Sequence, residues 1–186
     1  MLTLAQLQLF CSTDPLRIQQ LGTPFNYKGH TIATDGRVLI RVPQHPDVIR
    51  LSVLSPKSLD DVLAYLPDAC PEDTGLCPVP GLPAEKRRVS PCTECGGTGK
   101  LSDDVCEVCD GEGHWEDLVP VQVGYRYFDA RFLELVGSLP GVRLAPAIPP
   151  MSTDRWAWVG PMPFFFLDGG AGLLMPMKVH ASGNQP

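Results

Sequence analysis

His30-Thr31-Ile32-Ala33-Thr34-Asp35-Gly36-Arg37-Val38-Leu39-Ile40-Arg41-Val42 is the stretch on which the fold turns. His30 to Ala33 and Val38 to Val42 are rich in β-branched and aliphatic residues. They flank Thr34-Asp35-Gly36-Arg37, whose Asp-Gly pair suits a tight turn because glycine enters positive φ at little cost. The segment predicts two paired antiparallel strands. Outward from it, Ser55 is placed to cap a helix that begins with Pro56, with Leu59, Val62, Leu63 and Leu66 at one-face spacing and Pro67 as the stop. A shorter helix is expected after Thr3, with Leu4, Leu7, Phe10 and Cys11 forming its stripe. A third runs from about Asp129 to Leu139, with Phe132, Leu133, Val136 and Leu139 on one side and Pro140-Gly141 behind it.

Towards the other end, Trp156 to Val159, Phe164 to Leu167 and Leu173 to Met177 read as strands. The last two are expected to form a hairpin around Asp168-Gly169-Gly170-Ala171-Gly172. Helices packed on an antiparallel sheet place the chain in the α+β class. At 186 residues, 44% of them hydrophobic and 19% charged, it has enough apolar surface to bury a core. No apolar run is long enough to span a membrane and no basic flank precedes a leader-like stretch, so a soluble, cytoplasmic protein without a membrane partner is expected. The formal charge of -6 argues against a general nucleic-acid coat.

Cys92-Thr93-Glu94-Cys95-Gly96-Gly97-Thr98-Gly99 returns as Cys106-Glu107-Val108-Cys109-Asp110-Gly111-Glu112-Gly113, so C-x-x-C-x-G-x-G occurs twice. Each C-x-x-C lets two thiolates reach one ion, and the following glycines let the backbone turn tightly behind them. Cys92, Cys95, Cys106 and Cys109 therefore predict one Zn2+ per chain. Four protein ligands leave no open position for water or substrate, so the ion is expected to be structural. The odd total of seven cysteines, four of them in close pairs, fits metal binding better than a disulfide framework. Cys11 reads as a small core residue and His114 as a bystander. Whether Cys70, Cys77 or His114 also binds metal stays open.

The repeat resembles the zinc-binding region of the J-domain co-chaperones, over Cys92 to Gly113, and that resemblance speaks to metal ligation. It also implies an alternative function as a zinc-dependent chaperone or thiol protein. Lys86-Arg87-Arg88 precedes the first knuckle, but from Glu85 to Asp117 nine acidic residues face four basic ones. Nucleic acid is left open as a partner, though not through this acidic module.

Two further stretches resemble bacterial DNA polymerase sliding clamps, the β subunit that tethers polymerase to DNA. The first is Ile32 to Leu39 with the helix from Ser55 to Leu66 after it. The second runs from Val123-Gly124-Tyr125 through the helix to Leu139 and ends in Gly172-Leu173-Leu174-Met175-Pro176-Met177-Lys178-Val179. Arg37 stands where that family often has histidine. The resemblance implies a discontinuous clamp-like α+β domain over residues 1–67 and 118–179. A proline-rich tether at 68–91, a zinc-binding insertion at 92–117 and a flexible tail at 180–186 complete the expected organisation.

In clamps the turn and the terminal strand border an apolar pocket that receives short linear peptides. The resemblance thus implies a partner-binding site at Thr34, Gly36, Leu39, Met175, Pro176 and Met177, and a noncatalytic accessory or modulator role in DNA replication or repair. A clamp ring would demand an oligomer of this chain, and the three helices carry few basic residues to line one. No phosphate loop, nucleophile elbow or metal-spaced His and carboxylate pair points to an enzyme.

Overall fold

The computed structural model describes residues 1–50, 54–67, 75–84, 87–102, 104–109, 111–145 and 160–177. Along the chain come α1 (Leu4–Gln8), α2 (Ile18–Leu21), β1 (Phe25–Tyr27), β2 (His30–Thr34), β3 (Val38–Pro43) and α3 (Pro56–Leu63). The cysteine region holds β4 (Arg87–Pro91), β5 (Lys100–Leu101), β6 (Asp104–Val105) and β7 (His114–Leu118). Then follow β8 (Pro120–Val123), β9 (Arg126–Asp129), α4 (Ala130–Gly137), β10 (Arg143–Leu144), β11 (Met162–Phe166) and β12 (Gly170–Leu174).

The helices start where the side chains can cap them. Thr3 and Gln6 form a reciprocal capping box, Ser55 accepts the Ser58 N–H with Pro56 at the first position, and Asp129 accepts the Arg131 N–H. In the β2–β3 turn, Thr34 Oγ1 accepts the Gly36 N–H and donates to the Val38 carbonyl, while Asp35 Oδ1 accepts the Arg37 and Val38 N–H groups. Gly36 sits at φ 90°. The preceding turn, between paired Tyr27 and His30, has both Lys28 and Gly29 at positive φ, the twist that a two-residue hairpin needs.

Six strands form one antiparallel sheet in the order β1-β2-β3-β12-β11-β10. A helix followed by three meandering strands thus occurs twice, as α1 with β1 to β3 and as α4 with β10 to β12. The two halves meet at the centre, where Leu174 pairs with Val38 and Ala171 with Arg41. Both faces are covered. On one, Ala33, Val38, Ile40, Phe164, Phe166 and Leu174 pack with Leu7 and Phe10 from the first helix region and with Leu133 and Val136 of α4. On the other, Phe25, Ile32, Leu39, Phe165 and Leu173 pack with Leu59 of α3 and with Leu66. Each fully buried side chain of this size contributes about 1.5–3 kcal/mol. Both outer edges are blunted by single pairings: Asn26 N–H donates to the Arg50 carbonyl, and Cys77 and Leu144 exchange two backbone hydrogen bonds.

The expected helix faces need small corrections. Leu4 and Val62 are exposed, the first because α1 is too short to carry a full stripe and the second because it opens onto a groove. The terminal hairpin shifts more. Its strands are Met162–Phe166 and Gly170–Leu174, not Phe164–Leu167 and Leu173–Met177. Asp168 and Gly169 both adopt positive φ and turn the chain tightly, which leaves Gly170 and Gly172 inside the strand beneath the Phe166 and Phe164 rings. Residues 75–84, within the expected tether, dock through Val79 and Leu82 on the core beside α4. Arg87–Pro91 pairs along its length with His114–Leu118. The strand expected at Trp156 to Val159 and the expected tail lie outside the described residues. Among the described residues no helix is long and apolar enough to cross a membrane.

Candidate metal centre and apolar groove

The two knuckles are built as halves of one object. In each, a backbone N–H two residues past the second cysteine closes on the carbonyl of the first: Gly97 on Cys92 at 3.2 Å and Gly111 on Cys106 at 3.0 Å. Each then completes the other. Cys92 N–H donates to Gly113 O at 2.8 Å, and Cys106 N–H donates to Gly99 O at 2.9 Å. Glycine is required at this crossing, since Gly99 and Gly113 have φ of 74° and 76°. A Cβ on Gly113 would come within 2.5 Å of the Gly97 carbonyl oxygen, and one on Gly99 would clash with that of Gly111. The short β5–β6 hairpin links the halves, and the β4–β7 ladder closes the base.

This framework brings Cys92, Cys95, Cys106 and Cys109 together, all buried, with their Sγ atoms within 4.8 Å of one another. Cys95 and Cys109 Sγ are 3.8 Å apart. A tetrahedron with Zn–S bonds of about 2.3 Å has edges of about 3.8 Å. The group can hold one metal ion. Gly99 N–H donates to Cys95 Sγ and Gly113 N–H to Cys109 Sγ, each at 3.2 Å, so the repeat places one stabilising donor on the second sulfur of each pair.

Burial opposes ionisation of both thiols. At Cys95 the Gly99 and Gly97 N–H groups and the neighbouring thiols outweigh it and draw the pKa down to about 6. Cys109 is pushed up to about 11 by burial and by the adjacent cysteines. Once one sulfur of such a pair is charged, the next resists ionisation. Four thiolates in so small a volume need a cation between them. Cys11 lies in the main core with its pKa pushed up to about 11 by burial, and Cys77 is at the sheet edge. His114 Nδ1 faces the Glu112 carbonyl, outside the cluster. Cys70 lies outside the described residues.

A second feature lies across the sheet from α4. Leu21, the β2–β3 turn, Leu54, α3 and the end of β12 enclose an apolar groove of about 280 Å³. Val38, Leu39, Leu59, Val62, Leu173 and Met175 supply most of its apolar lining. Of the six expected partner-binding positions, Thr34, Gly36, Leu39 and Met175 line it and Pro176 and Met177 do not. The chain turns away there, because the Met177 N–H donates to the Tyr127 carbonyl of β9. Met175 is fixed at the rim by its own N–H bonded to Arg37 O at 2.8 Å.

Comparison with protein-family models, curated proteins and solved structures gives no match to this chain. Its function is therefore argued from these two sites. Sequence reasoning missed Leu21, Leu54, Ser58 and Val62 as groove residues. Their signal was weak because Leu21 and Leu54 come from segments far from the turn in sequence, and Ser58 and Val62 share α3 with Leu59, where Val62 reads as one more member of a helix core stripe.

Proposed function

We propose that the protein is a noncatalytic, zinc-stabilised interaction module whose clamp-like domain takes a short linear peptide in the groove, as an accessory or modulator of DNA replication or repair. The observation that carries this is the groove: Thr34, Gly36, Leu39 and Met175, the turn and terminal positions of the clamp resemblance, come together around an apolar cleft. A flexible thioether at its rim suits varied apolar ligands. Zinc is favoured at the cysteines by the soft thiolate set and the sulfur spacing. With all four cysteines buried, a structural role is better supported than thiol chemistry on clients.

Two measurements test the reading. Metal analysis of protein purified without chelators should give one zinc per chain. Titration with fluorescein-labelled sliding-clamp-binding peptides should show saturable binding, weakened about tenfold in Met175→Ala if Met175 is an anchor. Absence of binding by folded protein removes the peptide-docking reading, and absence of zinc removes the metal assignment.

A further inference from the structure

We propose that the cleft beside the β11–β12 turn binds a small organic phosphate, its dianionic head shared by Arg41 and Arg143 and its apolar body laid against Phe165 and Leu167. The cleft shares no described lining residue with the apolar groove, and the proposal stands apart from the peptide-docking reading.

Strand register brings the two cations to one place. Arg143 of β10 pairs with Phe165 of β11, Phe165 with Ala171 of β12, and Ala171 with Arg41 of β3, so the four residues form one row across one face of the sheet. At about 4.8 Å per strand, the two arginine Cα atoms stand about 14 Å apart, with Phe165 and Ala171 between them. All four line a cleft of about 340 Å³, a size suited to a small molecule, with Pro67, Gly141 and Leu167 in its wall.

Arg41 is the unexpected residue of the row. It sits within a central strand, half-buried, on the same face as the buried Ile32, Leu39 and Phe165. A cation so placed loses hydration, and a counter-charge is what offsets the loss. Its printed partner is weak: Nη2 lies 3.5 Å from the Pro67 carbonyl oxygen, at the limit of a hydrogen bond. Arg143 is exposed, and neither arginine makes an ion pair among the described residues. Other cations do find carboxylates, as Lys28 does with Asp60, Arg17 with Asp14 and Arg131 with Asp129. No Asp or Glu is among the described residues of the cleft, and Asp168 in the adjoining turn pairs with the Met1 amino group. Two guanidiniums thus line a cavity with no described negative charge, in a chain whose formal charge is -6.

The planar fork of arginine donates paired N–H groups to phosphate oxygens, and two forks can divide the oxygens of one dianion. A carboxylate, with one charge and two oxygens, satisfies one fork. Inorganic phosphate would leave the apolar floor uncovered, and an attached apolar body covers it.

The test is isothermal titration calorimetry on the full chain, at low salt in a phosphate-free buffer, with phenyl phosphate, benzoate, inorganic phosphate and a short oligothymidylate. Phenyl phosphate is expected to bind at one per chain, about tenfold more tightly than benzoate or inorganic phosphate. Arg41→Gln and Arg143→Gln should each weaken it about tenfold. Arg143→Gln alters an exposed side chain and should keep the thermal unfolding midpoint of the parent, so it decides the matter alone if Arg41→Gln fails to fold. No binding of phenyl phosphate by folded protein overturns the site, as does binding that Arg143→Gln leaves unchanged. Equal affinity for inorganic phosphate overturns the apolar body, and equal affinity for benzoate overturns the shared dianion. An oligothymidylate that binds more tightly than phenyl phosphate and weakens in the same variants overturns the small-molecule assignment in favour of a nucleic-acid strand.

Discussion

Gly170 and Gly172 lie directly across from Phe166 and Phe164 in the β11–β12 pair, on the face that packs against α4. A Cβ at Gly170 would have its three nearest contacts in the Phe166 ring; one at Gly172 would enter the Phe164 ring and also stand 2.5 Å from the Leu39 carbonyl oxygen. The difference is testable. Gly170→Ala and Gly172→Ala should each destabilise by about 1–3 kcal/mol through overpacking. Pairing Gly170→Ala with Phe166→Leu should restore part of that loss, whereas Phe164→Leu should do less for Gly172→Ala because the backbone of β3 cannot yield. Urea unfolding of the two double-mutant cycles measures both, and strict additivity in the first cycle would refute the account. At this scale the sequence spoke clearly for the four cysteines, whose spacing states their chemistry. It was misleading for Gly169 to Gly172, where glycines read as turn because the aromatic rings that need them sit on another strand.

Reciprocity governs the next level. The hydrogen bonds from Cys92 to Gly113 and from Cys106 to Gly99 mean that neither knuckle holds its shape without the other. A metal ion held by the four cysteines would supply the countercharge that their coupled thiols lack, so on its removal both halves should open together. Hydrogen exchange followed with and without a strong zinc chelator should show the amides of Cys92 and Cys106 losing protection in parallel. Those of β3 and β12 should keep theirs. Persistence of one knuckle while the other exchanges would contradict the arrangement. Helix α3 was legible because Ser55, Pro56 and the spacing of Leu59 and Leu66 agree. The β4–β7 ladder was not, since Arg87–Pro91 has no alternating apolar pattern and its partner strand lies beyond both knuckles. Likewise β1 is only three residues long, and its two-residue turn uses Lys28-Gly29, a weaker signal than Asp-Gly.

The six-stranded sheet is closed at its centre by strands from its two halves. β3 comes early in the chain and β12 late, yet they are neighbours in the middle of the six-stranded sheet, and Leu173 and Leu174 of β12 enter opposite cores. Such long-range pairing cannot be read from local periodicity, which gave antiparallel hairpins and helices but not the order in which strands meet. The cysteine arm intervenes between these halves, and the facing of Arg87 and Leu118 shows that it leaves and re-enters the domain at one point. Paired Cα atoms in an antiparallel ladder are about 5 Å apart, a gap that a two-residue turn can span. Replacing residues 88–117 by Asn-Gly should therefore leave a cooperatively folded domain with the groove intact, read by thermal unfolding and by peptide titration. Truncation after Leu167 should abolish folding, because it strips a central strand and exposes the ladders of β3 and β11 together. If the first variant fails to fold while the full chain with serine at Cys92, Cys95, Cys106 and Cys109 remains folded, the arm contributes to the sheet through contacts other than the cysteine cluster. If the truncated chain folds, β12 is not what holds the two halves together.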